Sequence, residues 1–479
     1  MLDIFLYVAK FLNAIFSFEI FGFPLLISLI IIGTLYFSFK LKFPNVKYFK
    51  HGIDIAIHNK YYSPSDPGEI TPKQALFTSI SGSIGLGSIA GVAIAISIGG
   101  AGSIIWMIII AFFSMNTVFA ETVLSQTYKK VEVDGKINGG PFRYLRYGLE
   151  DIGYRKFGTI LSQFFSFMLI FGSIGSGMFQ INQAITTMTD YKVLNNFKVF
   201  FGVIISLFVL YALFNGVKII SKIVAKLVPM MAILYTLCSL IIISFNYENI
   251  IPSIIAMIDG IFSFKSATGG LFGALIIGTK RSIFSTEAGL GTSSIAHAVA
   301  KTKEPVRQAS IASLTPMITM FFCLLTALII LTTKAYDTKS EGVIMTKEAF
   351  LTVSSWFPIF LSISIVLFAL SNVLSYSFYG QSAWRSFFKN KWTLIFNILY
   401  AITIALSSVA DLQSIVFIAD TFVLSMAIPN FIGLFMLSNL IKRKLEHYDE
   451  QLKNGDFDKS SLSKFFKKTF TFKFKKNNH

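Results

Sequence analysis

The chain has 479 residues, of which 54% are hydrophobic and 14% are charged, whereas soluble domains carry roughly a quarter charged residues. This excludes an ordinary soluble enzyme and points to life in a bilayer. The formal net charge of +17 raises the question of a nucleic-acid partner, but the basic residues fall in alternate loops, which is a membrane-topology pattern. No nucleic-acid partner is expected.

Runs of about 20 apolar residues, each long enough to cross a hydrocarbon core as a helix, recur eleven times along the chain. They are 19–38, 74–99, 102–127, 160–187, 197–215, 224–245, 266–297, 310–333, 353–380, 393–409 and 413–440. The first is expected to be retained as a helix rather than cleaved, because Asp3 and Lys10 precede it and no small-residue cleavage site follows. Cys238 and Cys323 both lie inside apolar runs, so neither a disulfide framework nor a metal spacing can be read from them.

Between these runs, basic and near-neutral loops alternate. Lys40, Lys42, Lys47 and Lys50 occupy one basic loop; Lys129, Lys130, Arg143 and Arg146 the next; then Lys218 and Lys222; Lys301, Lys303 and Arg307; and Arg385, Lys389 and Lys391. Residues 188–196, 246–265, 334–350 and 410–412 are near neutral. Basic loops remain cytoplasmic, which places the N-terminus outside and the C-terminus inside a cell membrane. Residues 1–440 are expected to form the transmembrane domain, with an extra helix at about 19–38 and a core at about 74–440. Residues 441–479 form a basic cytoplasmic tail, in which Lys464, Lys467, Lys468, Lys473, Lys475 and Lys476 interleave with Phe, suited to anionic lipid headgroups.

The stretch SGSIGLGSIAGVAIAISIGG, residues 81–100, puts six glycines into an apolar run. Close packing explains such spacing, because small residues let membrane helices approach. A broken helix also explains it, and irregular backbone is tolerated at membrane depth only where protein buries it or a cavity hydrates it. A second glycine-rich stretch, SATGGLFGALIIG at 266–278, opens the span five helices later. That separation fits a five-plus-five inverted repeat, whose broken helices present N-termini to a carboxylate and freed carbonyls to a cation. A further echo, GLGSIAG at 85–91 against GLGTSSIAH at 289–297, is read as marking the cytoplasmic end of the sixth core helix.

Several longer motifs share a known order. TPKQALFTSISGSIGLGSIAGVA (71–93), ETVLSQTYK (121–129), GGPFRY (139–144), RSIFSTEAGLGTSSIAHAVAKTKEPVRQA (281–309), TALIIL (326–331), SYSFYGQSA (375–383) and MAIPN (426–430) resemble the alanine or glycine:cation symporters, also called sodium:alanine symporters. The resemblance covers roughly residues 18–440. It implies a leucine-transporter-like fold: an all-α integral membrane protein of eleven transmembrane helices, one extra N-terminal helix preceding the five-plus-five core, with the first and sixth core helices broken. It also implies sodium-coupled symport of a small neutral amino acid, alanine or glycine by default, with Na+ as the coupling ion and no cofactor.

The resemblance carries over residue by residue. Backbone N–H groups near Leu86 and Gly87 would receive the substrate carboxylate, with Ser83, Gly85, Ser88, Gln180 and Tyr376 around the same substrate. Gly269 and Gly270 would mark the break in the sixth core helix. The carbonyls of Ser81, Ile84 and Phe368, together with Ser371 and Asn372, would supply the oxygen shell that a hard cation requires. This sequence departs from the family pattern at Leu86, Ser88, Thr286, Ile318, Tyr376 and Gln381, which bears on selectivity, because one altered hydrogen-bond partner can change discrimination by large factors.

Glu121, Glu287 and Asp420 are ionisable residues in apolar spans and are functional candidates on that ground; capping or a salt bridge is the simpler reading of each. His297 is read as a structural hydrogen-bond partner. Five histidines scattered over loops and ends form no chemical cluster, so no enzyme is expected.

Overall fold

The computed structural model describes residues 10, 19–20, 23–58, 63–132, 135–189, 197–262, 272–338, 340 and 342–454. Helices dominate. The only strands among the described residues are two antiparallel two-residue ladders, Glu19–Ile20 with Phe23–Pro24 and Lys130–Val131 with Ile137–Asn138.

Helix α1 (Leu25–Lys40) begins after Pro24 and ends where Lys42 and Phe43 take positive φ. It packs between two later helices, α6 (Gly102–Thr127) and α19 (Ala427–Met436). On the α6 side the contact is polar: Asn116 Nδ2 donates to Ser38 Oγ at 2.9 Å. On the α19 side it is aromatic, with Phe37 stacked on Phe435 at 5.7 Å and Gly33 so close to Phe431 that a Cβ would collide with the ring. The short helices α2 (Pro44–Lys47) and α3 (Phe49–His58) then run across one face of the bundle.

Helix α4 (Pro72–Ser83) has a complete start signal: Thr71 Oγ1 accepts from the Gln74 N–H at 3.2 Å and Gln74 Oε1 accepts from the Thr71 N–H at 3.0 Å. This capping box satisfies two orphan donors, and Pro72 fits the first turn, where no N–H is needed. The helix stops at Ser83. After one 3₁₀ turn at Leu86–Ser88, α5 (Ala90–Gly99) leaves at 57° to α4.

The remaining long elements are α7 (Arg155–Thr189), α8 (Lys198–Asn215), α9 (Val217–Phe245, with Pro229 inside), α10 (Ile250–Asp259), α11 (Gly273–Thr286), α12 (Thr292–Ala298), α13 (Pro305–Ala312) and α14 (Leu314–Thr332). They are followed by α15 (Val343–Leu351), α16 (Pro358–Phe387), α17 (Thr393–Leu406), α18 (Leu412–Ser425), then α19, and α20 (Ser438–Asn454). Two groups emerge from the packing. Helices α4, α5, α6, α11, α12, α13 and α14 pack on one another, while α7 packs along α16 and α18, and α8 along α17. Helix α9 lies against α4 and α16, touching both groups.

Within the described residues the expected spans are largely helical, but the boundaries move, and the span expected at 19–38 becomes helical only at Leu25. The span expected at 224–245 begins at Val217, that at 353–380 runs Pro358–Phe387, and 310–333 is divided at Ser313. Among the described residues seven helices are long and apolar enough to cross a membrane when α13 is joined to α14 and α18 to α19, or eight when α4 and α5 also count as one bent span. Helices α1 and α17, of 16 and 14 residues, are apolar but shorter, so helix length alone does not establish eleven crossings. The proposed domain boundary at 440/441 falls inside α20, whose Ile441, Leu445 and Tyr448 are buried. Tyr448 OH lies 2.7 Å from His51 Nε2 on α3, and Asp449 accepts from Lys47 and Tyr48. The lysines expected to contact lipid, from Lys464 onward, lie outside the described residues.

Candidate functional site at two helix breaks

The first break frees backbone. The Gly85 N–H donates to the Ser83 carbonyl at 3.0 Å, rather than to the Ser81 carbonyl one helical turn back. The Ser81 carbonyl is thereby released from the helical ladder. Gly85 lies so close to the neighbouring helices that a Cβ would meet Nε2 of Gln180 and, at 2.8 Å, Nδ2 of Asn372. Glycine is thus required by close approach rather than by its φ of −118°.

Helix α16 is stitched to this break. Ser81 Oγ donates to the Ser371 carbonyl at 2.5 Å, and Asn372 Nδ2 donates to the Gly82 carbonyl. Ser371 Oγ donates to the Phe368 carbonyl at 3.0 Å, while Ser375 Oγ reaches the Thr78 carbonyl at 2.9 Å and Ser81 Oγ at 3.1 Å. Asn372 Oδ1 is buried without a hydrogen bond. Ser81, Phe368, Ser371 and Asn372 therefore share one oxygen-rich seam between α4 and α16. Ile84 caps the C-terminus of α4 beside them, its side chain buried.

Around the 3₁₀ turn, the Leu86 N–H donates to Gln180 Oε1 of α7 at 3.0 Å, and the Gly87 carbonyl accepts from Ser285 Oγ of α11 at 3.0 Å. Ser83 Oγ donates to the Ile80 carbonyl at 3.0 Å and lies 2.9 Å from Thr319 Oγ1 of α14. Ser88 is buried with its hydroxyl unpartnered. The structure thus gathers Gly85, Leu86, Gly87 and Gln180, while Ser83 turns toward α14. Tyr376 lies one turn beyond Asn372 with its hydroxyl toward Glu287 and Ser176.

The second break lies between α11 and α12. Glu287 takes φ 55°, followed by Gly289 at 85° and Gly291 at 79°. A left-handed non-glycine residue costs about 1–3 kcal/mol and is retained where the surroundings over-determine it. Here they do: Glu287 Oε2 accepts from Thr292 Oγ1 at 2.7 Å, Glu121 Oε1 accepts from the Gly291 N–H at 3.1 Å, and Asn430 Nδ2 joins Glu121 Oε1 at 2.6 Å to the Gly289 carbonyl at 2.8 Å. Gly269 and Gly270 lie outside the described residues. The break within the described part of the span falls on the GLGTSSIAH echo, which therefore marks an interruption inside the span rather than its end.

Ser285, Phe179 and the basic pair Lys280 and Arg281 were not singled out in the sequence, whereas Asp420 was a candidate on its ionisable character and is found in a salt bridge. Ser285 stands beside the altered Thr286 and holds Gly87. Phe179, the neighbour of Gln180, meets Phe284 edge-on at 6.2 Å. Above this pair, Asp420 Oδ2 of α18 lies 3.2 Å from Lys280 Nζ and 3.6 Å from Arg281 Nη2 of α11. All three line a cavity of about 1000 Å³, together with Ser97, Gln183 and Val343. A second cavity, of about 770 Å³, lies among Glu69, Lys218, Phe378, Gln381 and Arg385; the basic loops border it.

A helical body with two touching helix breaks, freed carbonyls and a vestibule defines a membrane transporter built on discontinuous helices. The solved structure of MhsT in complex with L-phenylalanine shares the fold, with a TM-score of 0.55 at 13% identity, covering 77% of this chain and 89% of that one. The model of the sodium:alanine symporter family matches residues 7–462, and the chain belongs to that family. It is 34% identical over 435 residues to the sodium/alanine symporter AgcS of Methanococcus maripaludis, covering 89% of this chain and 94% of that protein. It is 33% identical over 440 residues to the probable sodium/glutamine symporter GlnT of Bacillus subtilis, covering 90% and 89%. Membership makes the chain a cation-coupled amino-acid symporter and not an enzyme.

Proposed function

We propose that the protein carries a small neutral amino acid, alanine or glycine by default, into the cell with sodium by alternating access. The observation that carries this reading is the first break, where one turn of chain offers the Leu86 N–H to Gln180 and frees the Ser81 carbonyl from the Gly85 N–H, next to the seam in which Ser81 Oγ meets the Ser371 carbonyl. The amino-acid carboxylate displaces Gln180 from the Leu86 N–H. Sodium takes the carbonyls of Ser81, Ile84 and Phe368 with the side chains of Ser371 and Asn372, an all-oxygen set suited to a hard cation.

Both ligands order the same irregular backbone, so each favours the binding of the other. The vestibule above Phe179 and Phe284 is the external access route, and the Asp420 ion pairs close it between α11 and α18. The cavity by Gln381 opens to the cytoplasm, which leaves the basic loops inside. The group containing α4, α6, α12 and α14 rocks against the group built on α7 and α16.

The test is uptake of labelled alanine, glycine and glutamine into proteoliposomes with and without an inward sodium gradient. Saturable, sodium-dependent accumulation of alanine or glycine is expected. Flux that never saturates would identify a pore, and preference for glutamine would move the substrate assignment.

A further inference from the structure

The Glu287 carboxyl has no role in the two ligand sites, yet it sits where the moving parts meet. It is 1% exposed, Thr292 Oγ1 binds its Oε2, and no hydrogen bond reaches its Oε1. A Cβ on Gly82 of α4 would lie 3.2 Å from that Oε2 and 3.0 Å from the Tyr379 hydroxyl of α16. Tyr376 of the same helix faces the carboxyl group. One side chain thus touches the end of α4, the start of α12 and the inner face of α16.

No cation balances it among the described residues. Helix α6 presents Glu121, itself fully buried with Oε2 unpartnered. Helix α16 presents the phenols Tyr376 and Tyr379, and the segment after Gly140 presents Tyr144, bonded to Asn430. On α12, His297 Nδ1 pairs with Gln308 at 2.7 Å. On α11, Arg281 is engaged by Asp420 in the vestibule, and α4 has only Lys73, at its far end over Phe77. Helix α13 carries Arg307, on the His51 side of the bundle. Helix α14 adds the neutral thiol of Cys323. An isolated carboxylate in such an interior is costly, and it is neutralised by a proton or offset by a nearby cation.

We propose that Glu287 is a proton site linked to the sodium site: it holds a proton when sodium is absent and releases it when sodium binds beside Gly82. The carboxyl O–H bond breaks, the electron pair stays on the carboxylate, and the proton passes to water. The amino acid is then drawn in by sodium while a proton leaves in exchange. This rests on the sodium assignment proposed above.

The experiment uses the full chain in detergent, weakly buffered with a pH-indicating dye, with NaCl added against a choline chloride control. Binding of radioactive sodium is measured in parallel. Wild type is expected to release about one proton per sodium site filled, and its apparent sodium affinity to fall about tenfold per pH unit on the acid side, because linked binding is reciprocal. Glu287→Gln is expected to bind sodium with no release and no pH dependence, and Glu150→Gln, at a surface carboxyl paired with Arg155, to behave as wild type. Sodium binding by wild type without proton release, or unaltered release from Glu287→Gln, overturns the proposal. If Glu287→Gln does not fold, Glu287→Asp decides: the retained but displaced carboxyl should shift the pH range of release, and an unshifted range overturns the assignment. Wild type that binds no sodium at all refutes the symport reading and this proposal with it, a result distinct from sodium binding without release.

Discussion

Gln180 and Leu86 are joined by a single hydrogen bond, 3.0 Å from the backbone N–H to the side-chain oxygen, at the one turn of the chain where α4 gives way to α5. A neutral amide therefore marks the place proposed for the substrate carboxylate. Gln180→Glu puts a negative charge there and should abolish substrate binding, whereas Gln180→Ala should raise KM about tenfold, the loss of one hydrogen bond to a charged group. Wild-type KM in Gln180→Glu would remove this residue from the site.

Ser371→Ala deletes a hydroxyl from the oxygen seam without altering the backbone of α16. Apparent sodium affinity should drop about tenfold, corresponding to about 1.4 kcal/mol, with substrate KM at saturating sodium nearly unchanged. Sodium activation curves for uptake measure both. An unshifted curve would place the ion elsewhere.

Asp420→Asn leaves Arg281, which is 8% exposed, without its anion. Removing one partner of a fully buried pair costs about 3–5 kcal/mol, and the partial exposure of Lys280 reduces this to about 1–3 kcal/mol. A lower melting temperature is expected, with Asp420→Glu partly restoring it. In a Ser97→Cys background, the vestibule cysteine should react faster with a thiol reagent once α11 and α18 are no longer tied.

His51 gives the docked helix α20 a pH dependence. Burial, reinforced by Arg307, lowers the imidazole from its usual 6.5 to about 4 despite Asp54. The folded state therefore binds the proton more weakly than the unfolded state. The contribution is fully present above pH 6.5 and is lost as pH falls from 6.5 to about 4, amounting to about 3 kcal/mol at the acid end. Proteolysis between α19 and α20 should accelerate between pH 6 and about 4.5, and His51→Gln should flatten that dependence.

The helical spans were legible because unbroken apolar runs leave few alternatives, and the SGSIGLGSIAG break was legible because its glycines interrupt such a run. The second break was harder to place. Gly269 and Gly270 lie outside the described residues, and the left-handed turn at Glu287–Gly291 depends on Glu121 and Asn430, which lie far away in the chain and close only in the fold. Ser285 and Phe179 were invisible for a related reason: each is an ordinary membrane residue until the hydrogen bond to Gly87 or the ring of Phe284 is seen. The motif position makes Tyr376 a pocket residue, while its hydroxyl faces Glu287, because a helical position fixes a face of α16 but not the neighbour at that depth.

Helix α1 lies across the seam between the two helix groups. Its hold on α6 is directional, through Ser38 and Asn116, whereas its hold on α19 includes the stacked faces of Phe37 and Phe435. Hydrogen bonds have one good geometry, but parallel rings can slide by an ångström or so with little change in contact. Two further contacts hold that side against sliding, Gly33 seated on the Phe431 ring and Tyr36 OH 3.1 Å from Ser438 Oγ, so in the rocking proposed above α1 clasps the two groups across the seam.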